Sequence, residues 1–490
     1  MEASRRLSRV LRASIHRGAP VVVIAVGLTL VACSSDAPVA VATATHVAAF
    51  DCAHCHAGED AAWQASPHAN TQVSLAGELA GSHSGETPDA VVQGEDCIAC
   101  HAPTSVLANG GMSEGQALGY FFTTQGGRFT SGTQPSHTDT WPHDACAACH
   151  DVLQGQTLSS ATLASFDSRS KQYAPVGRAS ELCGQCHGSL RFSDTDHRTY
   201  DAWATSKHAT TQADVAGEIA GSHAGETPRQ VTSGENCIAC HAPTAVLANG
   251  GMSESGALGY FFTTNGGQFT NGTSMAHADQ WPDVSCTTCH APHNPGGVSY
   301  FDSGTKRYTA MASAEELCGQ CHGNLRFPDT DHLSYNIEQG TGGIGVPDQQ
   351  TMPGVQCVDC HMYVSDKDGS ASAMAHGHTF HIIVQEPDGS VTSSCAHCHA
   401  GNVAGGNPAI IQDFKTSYAL LDSTASTNVA AATTAVAGAT DAGVAAELHE
   451  AQWNLQYAES DESGGFHNHQ YLMALLTDAN SKALDLLKRP

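Results

Sequence analysis

Residues 95–104 read Glu-Asp-Cys-Ile-Ala-Cys-His-Ala-Pro-Thr, and residues 235–244 repeat this stretch with Asn in place of Asp. The stretch contains a Cys-x-x-Cys-His pattern, which occurs nine times in the 490 residues. The two thiols of the pattern lie about one helical turn apart, and an imidazole follows at once. Thioether bonds from both thiols to a porphyrin place that histidine beneath the iron, so the pattern predicts covalently attached haem c.

The nine patterns use 18 of the 19 cysteines. The pairs are Cys52 and Cys55, Cys97 and Cys100, Cys146 and Cys149, Cys183 and Cys186, Cys237 and Cys240, Cys286 and Cys289, Cys318 and Cys321, Cys357 and Cys360, and Cys395 and Cys398. The predicted proximal iron ligands are His56, His101, His150, His187, His241, His290, His322, His361 and His399. Zinc ribbons do not require the histidine, and disulfides do not require the spacing, so both readings are disfavoured. We expect nine haems c.

The composition agrees with a core made largely of cofactor. Aromatic residues are 6% and charged residues 14%, too few for several ordinary domains, while the 41% of apolar residues is too high for a disordered chain. The sequence therefore predicts a mostly α and irregular fold, with short helices around the Cys-x-x-Cys-His motifs and porphyrins in the core. The formal net charge of −27 argues against a nucleic-acid partner.

Internal repeats divide the chain into modules. Residues 76–114 match residues 216–254 at 31 of 39 positions, and residues 181–196 match residues 316–331. We predict three-haem modules over 51–182, 183–317 and 318–410, followed by a helical C-terminal region over 411–490. Within that region the apolar spacing is helical over 445–457 and 470–487, whereas 423–446 is a linker or a poor helix.

The N-terminus has the features of an export signal. Five arginines precede a 12-residue apolar run, Val21–Ala32, which is shorter than the about 20 residues needed to span a bilayer. The run ends in Leu-Val-Ala-Cys, which resembles a bacterial lipobox. That resemblance implies cleavage of residues 1–32, lipid attachment at Cys33, a tether over 33–50, and anchoring at the outer membrane, on the periplasmic side or the cell surface.

A second set of histidines is placed to bind the irons from the distal side. Eight recur between repeats and two lie in C-terminal motifs: His68, His83, His137, His197, His208, His223, His277, His332, His378 and His467. Ten candidates for nine positions leave at least one in excess. We expect structural or surface roles for His46, His54, His143, His293, His376, His381, His397, His449 and His469, and loop packing for Met112 and Met252.

Short signatures around these residues resemble multihaem c-type cytochromes of bacterial respiration. Ser-x-His-Ala after a tryptophan, at His68 and His208, is similar to the tetrahaem cytochrome type. Cys-Val-Asp-Cys-His-Met-Tyr at 357–363, Gly-His-Thr-Phe at 377–380 and Gly-Phe-His-Asn at 465–468 resemble the superfamily of pentahaem nitrite reductase and octahaem hydroxylamine oxidoreductase. That resemblance implies His467 as an axial ligand. The Cys-x-x-Cys-Lys motif of the ammonia-forming nitrite reductases is absent from the sequence.

These features favour a membrane-anchored electron carrier in anaerobic or extracellular respiration, with no catalytic residue assigned. Its expected partners are other cytochromes, quinol-linked donors or an external acceptor. One alternative is a reductase of nitrite, hydroxylamine or a sulfur oxyanion, which needs one haem with an open sixth position. Another is a filament subunit that gives histidines, such as His46, to neighbouring copies.

The motif count predicts the cofactor content directly. Pyridine haemochrome absorbance divided by protein concentration is expected to give nine haems per chain, because each motif holds one haem by two thioethers. Six or fewer in fully matured protein would contradict this count.

The predicted lipid anchor is tested by replacing its attachment residue. Cys33→Ala is expected to move the protein from the membrane fraction to the soluble fraction, since no thiol remains for acylation. Immunoblotting of the separated fractions measures this, and a soluble wild-type protein with a different N-terminus would refute the anchor.

Overall fold

The structure is a computed structural model that describes residues 56–143, 146–151, 163–193, 195, 197–328, 330–350, 352–363, 377–385, 391–395, 409–461 and 463–489. All of these belong to one compact unit, which spans residues 46–490. The predicted signal and tether lie outside the described residues, as do Cys33, His46, Cys52, His54, Cys55, His376, His397, Cys398 and His399. In the described part of the chain, no helix is long and apolar enough to cross a membrane.

The first module consists of short helices and one hairpin. Its elements are α1 (Ala57–Gln64), α2 (Thr71–Gly81), α3 (Pro88–Gly94), α4 (Cys97–His101), α5 (Glu114–Phe121), α6 (Cys146–Cys149), β1 (Ala164–Asp167) and β2 (Gln172–Pro175). Turns of 3-10 helix lie at Pro67–Asn70, Pro103–Gly110 and Thr138–Thr140.

The second module repeats this order. Its elements are α7 (Ala179–Gly184), α8 (Thr199–Ala204), α9 (Thr211–Ser222), α10 (Pro228–Gly234), α11 (Cys237–His241), α12 (Glu254–Phe261), α13 (Cys286–Cys289), β3 (Ser299–Asp302) and β4 (Arg307–Ala310), with 3-10 turns at Lys207–Thr210, Pro243–Gly250 and Ala278–Gln280. The rest of the chain forms α14 (Ala314–Cys318), α15 (Ser334–Glu338), α16 (Cys357–His361), a 3-10 turn at Gly377–Thr379, β5 (Ile383–Gln385), β6 (Val391–Ser393), α17 (Ala409–Ala435), α18 (Ala442–Glu459) and α19 (His469–Leu487).

Local sequence explains why the repeated helices begin where they do. Thr87 precedes Pro88 and its hydroxyl accepts from the amide of Ala90, while Thr227 caps α10 in the same way through Gln230. Proline suits the first helical position because its missing N–H would have no partner there. The Thr-Pro pair therefore starts α3 and α10 at equivalent points and sets the spacing to the cysteines that follow.

An aspartate and a lysine form part of the turn of each hairpin. Strands β1 and β2 are antiparallel, with Phe166 opposite Tyr173, and β3 and β4 pair Phe301 with Tyr308 in the same register. In the first turn the Asp167 carboxylate accepts from the amides of Arg169 and Ser170, and Lys171 takes a positive φ of 56°. The aspartate stabilises the turn, which fixes the register of the strands.

The first two modules have matching apolar cores. In the first, Phe121 and Phe122 pack edge-on against Trp141, with ring centroids 5.0 and 5.4 Å away. The corresponding distances to Trp281 are 5.1 and 5.4 Å in the second module. The Trp141 indole N–H donates to the Thr71 hydroxyl at 3.2 Å, so this buried polar atom is satisfied. Side chains thus form a larger share of the core than the composition predicts.

The C-terminal helices form a third core. Helix α17 continues to Ala435, so most of the 423–446 stretch expected as a linker or poor helix is regular helix. Ala425, Val429 and Ala432 on α17 are buried against α18 and α19, because their spacing places them on one face. Small side chains suit this close contact, and the helix is stabilised by packing rather than by propensity.

The C-terminal core predicts a measurable loss of stability. Leu475 on α19 is fully buried, and Leu475→Ala is expected to destabilise the bundle by about 2–5 kcal/mol, because it leaves a cavity. Leu484→Ala on the same helix is the control, since Leu484 is 38% exposed. Thermal unfolding followed by far-UV circular dichroism compares the two, and equal midpoints would contradict the packing.

Candidate haem-binding sites

The described Cys-x-x-Cys-His motifs all take a helical turn that brings their cysteines to one side. Helices α4, α11 and α16 begin at the first cysteine and end at the histidine. At Cys183 and Cys318 the preceding helix ends at or one residue past the cysteine. The turn is nevertheless closed by bonds from the amides of His187 and His322 to the carbonyls of those cysteines, at 2.8 and 2.9 Å. The expectation of short helices around the motifs is confirmed.

Tyrosines of the hairpins hold the third motif of each repeated module. The Tyr173 hydroxyl donates to the carbonyl of Ala147 at 2.7 Å, and the Tyr308 hydroxyl donates to the carbonyl of Thr287 at the same distance. Both acceptors lie between the two cysteines of a motif. The hairpin therefore fixes the attachment helix from the side, because a motif of four or five residues is too short to be stable alone.

Six proximal histidines face a second histidine ring. The ring centroids are 6.1 Å apart for His187 and His68, 6.5 Å for His101 and His197, 6.4 Å for His150 and His293, 6.1 Å for His322 and His208, 6.1 Å for His241 and His332, and 5.7 Å for His361 and His467. A metal ion between two opposed imidazoles, about 2 Å from each nitrogen, holds the ring centroids about 6 Å apart. The donor set and spacing therefore fit haem iron with two axial histidines.

The pairs follow one rule in both repeats. The Ser-x-His-Ala histidine of a module faces the first proximal histidine of the next module, as His68 faces His187 and His208 faces His322. In the opposite direction, His197 and His332 face the middle proximal histidine of the preceding module. Each junction between modules is thus crossed from both sides, and His150, which faces His293, adds a third crossing at the first junction.

Arginines hold the loops that carry His197 and His332. Arg191 donates to the carbonyls of Ala99 and Phe166, at 3.3 and 3.4 Å, and forms an ion pair with Asp167 at 3.3 Å. Ala99 lies between the cysteines of α4, so Arg191 links the loop to the motif of the facing His101. Arg326 pairs with Asp302 at 3.3 Å and its guanidinium lies 4.8 Å from the centre of the Tyr300 ring. The ion pair thus recurs in the second repeat, but there the Tyr300 hydroxyl, rather than the arginine, donates to the motif, at the carbonyl of Ala239 (2.9 Å).

The pair near the C-terminus shows how both rings are oriented. His361 Nδ1 lies 3.0 Å from the Phe380 carbonyl, while His467 Nδ1 lies 2.7 Å from the buried Asp461 carboxylate. With Nδ1 engaged, Nε2 of each ring points toward the other at 3.4 Å. This is slightly closer than the about 4 Å that two bonds to an intervening ion require, so the side chains must move apart a little.

A turn made by two glycines positions His467. Gly464 and Gly465 have positive φ values of 66° and 97°, and a Cβ added at Gly465 would lie 2.3 Å from Tyr418. Only glycine allows both this backbone and this close approach. Although burial opposes it, the hydrogen bond that His467 donates to Asp461 raises the pKa of His467, because the carboxylate stabilises the protonated ring.

Burial keeps most of the other paired rings neutral. Burial, with a smaller contribution from neighbouring histidines, lowers the pKa of His187 and of His208 to about 4. The pKa values of His68, His101, His150 and His293 are lowered by burial as well. Neutral imidazole is the form that binds a metal, so the environment favours ligation at neutral pH.

Four predicted distal ligands are held in other contacts. His137 and His277 stack on Tyr120 and Tyr260, with centroids 3.9 and 4.0 Å apart. His83 and His223 are buried, and their ring nitrogens contact glutamates. No ring pair in the described part of the chain joins these four to a proximal histidine. His378 lies in the 3-10 turn at Gly377–Thr379, with its ring 6.3 Å from that of Phe380.

His293 is the paired histidine that the sequence does not reveal. It faces His150, yet we expected a structural or surface role, because position 153 of the first module is leucine and the repeat comparison shows no counterpart. Its position three residues after His290 is the one available signal. None of the six ring pairs among the described residues includes His56 or His290.

Thiols of different motifs also meet. The side chains of Cys183 and Cys286 are in hydrogen-bonding contact, and so are those of Cys240 and Cys321 and of Cys318 and Cys357. Each contact brings two attachment points together. The motifs are therefore neighbours in space, and the contact between Cys240 and Cys321 crosses a module boundary.

Two family models match the chain. The model for cytochrome c554 and c-prime matches residues 51–118 and 182–258, and the model for cytochrome c552 matches residues 348–486. The chain is a multihaem c-type cytochrome. It binds several covalent c-type haems through the motifs described above. The c554 model matches the first part of each repeated module, and the c552 model matches the last two motifs and the C-terminal helices of the cytochrome.

Two solved structures resemble the cytochrome. One, the outer cell wall cytochrome OcwA, is 19% identical with a TM-score of 0.39, covering 79% of this chain and 70% of that one. The other, an undecahaem cytochrome from the S-layer of Carboxydothermus ferrireducens, is 17% identical with a TM-score of 0.37. That match covers 74% of this chain, which spans about half of that protein (53%). A comparison with curated protein sequences finds no match.

Proposed function

We propose that this cytochrome is an electron carrier with nine haems c, in which the six histidine pairs are axial ligands. The observation that carries the proposal is the pairing itself. Two imidazoles on opposite sides saturate an iron and leave no position for a substrate. Bis-histidine ligation therefore favours electron transfer over catalysis at these six sites.

When bound, each haem supplies one iron that accepts or donates one electron. The chain determines the conditions of that exchange. The cysteines hold the porphyrin covalently, and the proximal and distal imidazoles keep the coordination the same in both oxidation states. Buried surroundings and hydrogen bonds at Nδ1, such as that between His467 and Asp461, tune the potential.

The contacts between motifs support two groups of neighbours, one of the second, third, fourth and sixth motifs and one of the fifth, seventh and eighth. The thiol contacts join the fourth motif to the sixth, the fifth to the seventh and the seventh to the eighth. His293 faces the third motif and lies three residues after the sixth, while His197 faces the second and lies ten residues after the fourth. Electrons can then pass between neighbouring haems without leaving the protein.

The exported, lipid-anchored form extends this proposal to the cell. Covalent haem attachment and the lipobox-like sequence ending at Cys33 support a position at the outer membrane. From there the cytochrome passes electrons between other redox proteins and an external acceptor. The acidic net charge favours basic partner surfaces.

The ligand assignment is tested in the second module. His208→Ala is expected to convert one low-spin haem to high spin and to add about one equivalent of carbon monoxide binding to the reduced protein, since the iron loses its sixth ligand. The haem count is expected to stay unchanged because both thioethers remain. Absorption and electron paramagnetic resonance (EPR) spectra measure the spin state.

His277→Ala is the matched control, because His277 stacks on Tyr260 in the same module. It is expected to leave the spectra and carbon monoxide binding unaltered. High-spin haem in the His277 variant, or an unaltered spectrum and carbon monoxide binding in the His208 variant, would refute the assignment.

The function is tested on the whole protein. Protein-film voltammetry is expected to show reversible one-electron waves over a broad range of potentials, and reduced protein is expected to be reoxidised by soluble ferric complexes. Assays with reduced viologen and nitrite, hydroxylamine or sulfite are expected to show no turnover. Turnover of any of the three, together with high-spin haem in the wild type, would establish the reductase alternative instead.

A further inference from the structure

A group of glutamates surrounds a buried histidine in the second module. His223 follows α9, and its side chain is only 7% exposed. Its Nδ1 lies 3.2 Å from the Glu226 carboxylate and its Nε2 lies 3.2 Å from the Glu235 carboxylate. A carboxylate oxygen of Glu218 joins them, so that one donor atom each from Glu218, His223 and Glu235 lies within 4.8 Å of the others.

A proton alone does not account for this arrangement. A protonated imidazole has two N–H groups, and Glu226 and Glu235 already accept from both nitrogens. Both ring N–H groups are then used, so Glu218 has none to accept from. Burial and the negative charge of Glu235 both raise the pKa of Glu218, because the two carboxylates repel one another. A positive ion between the three donor atoms would remove that repulsion.

The first module supplies a second observation. His83 occupies the equivalent position and its side chain is only 8% exposed, with Nδ1 3.4 Å from Glu86 and Nε2 3.4 Å from Glu95. Its Nε2 has no hydrogen-bond partner, although it is buried and faces the carboxylate. A buried ring nitrogen without a hydrogen bond is costly, and the cost is removed if its lone pair binds an ion.

We propose that Nε2 of His223 and the carboxylates of Glu218 and Glu235 bind one divalent cation of the manganese, iron or zinc type. Ligands about 2.1 Å from a six-coordinate ion lie about 3–4 Å from one another, and the three donor atoms have comparable spacing. Glu226 accepts from Nδ1 and orients the ring, as carboxylates commonly do for metal-binding histidines. One nitrogen and two oxygens suit a borderline metal and leave positions for water.

The two modules differ in the third ligand. In the described first module, the atoms of Glu78, His83 and Glu95 do not converge within 4.8 Å as those of the second module do. The group in the first module therefore has two ligands in position rather than three, and it binds the cation more weakly than the group in the second module. The proposed ion lies next to the haem attached at Cys237, because Glu235 is two residues before that cysteine. Its positive charge would favour the reduced state of that haem.

The experiment uses the full haem-loaded protein, treated with chelator and titrated with Mn²⁺. Loss of the free Mn²⁺ EPR signal is expected to reveal one tightly bound equivalent, and Zn²⁺ is expected to displace it. Glu218→Gln and Glu235→Gln are each expected to abolish that equivalent, and Glu226→Gln to weaken it by about 10–100-fold. Both ligand carboxylates belong to exposed residues, so these variants retain the fold, which unchanged haem absorption checks.

Glu95→Gln in the first module is the matched control and is expected to keep the tight equivalent. Absence of tight Mn²⁺ binding in the wild type would overturn the proposal, as would equal binding in the wild type and the Glu218 and Glu235 variants. Loss of binding in the Glu95 variant would equally overturn the assignment to the second module. None of these outcomes depends on electron-transfer activity.

Discussion

The whole arrangement depends on two imidazoles meeting at one iron. Six proximal histidines have a second ring at the distance that an intervening metal requires, and in all six pairs the partners lie more than 90 residues apart in the chain. Ordinary packing tolerates small displacements, whereas coordination fixes position and direction. Much of the surrounding structure, including the hairpin tyrosines, Arg191 and the Gly464-Gly465 turn, therefore serves to hold short segments in register.

Side chains and cofactor share the task of filling the interior. The low aromatic content led us to expect porphyrins to form the core. Nevertheless each repeated module has its own apolar cluster around Trp141 or Trp281, and the C-terminal helices form a third. The scarce aromatic residues are concentrated at these points. The motifs that begin at Cys97 and Cys237 belong to these clusters, so their attachment helices are stabilised by burial as well as by hydrogen bonds.

Much of the site was predictable from the sequence, because covalent attachment leaves an invariant pattern of spacing. The repeat comparison also identified His68, His197, His208 and His332, since a duplicated segment meets a duplicated neighbour. The same comparison also selected His83 and His137, which contact glutamates and a tyrosine ring in the structure, because repetition preserves such contacts as well as ligands. His293 was missed because it has no counterpart in the first module. Which imidazole reaches which iron is a property of three-dimensional arrangement, and local sequence does not contain it. The sequence left 423–446 open between a linker and a poor helix, and the helix through Ser423 forms because close packing against its neighbours outweighs its weak intrinsic propensity.

Because histidine pairs cross the module junctions, the segment that was duplicated is not the same as a unit that contains all of its own iron ligands. Evolution copied a segment of about 140 residues, as the repeat shows. A fragment cut at the boundary after residue 182 would keep its attachment motifs, but His101 and His150 would lose His197 and His293, and His68 would be left without a proximal partner. The inherited unit is therefore not a separable one. Lengthening such a protein by duplication adds a module boundary whose histidine pairs are completed only by the next copy. Each added module therefore depends on its neighbour for iron ligands.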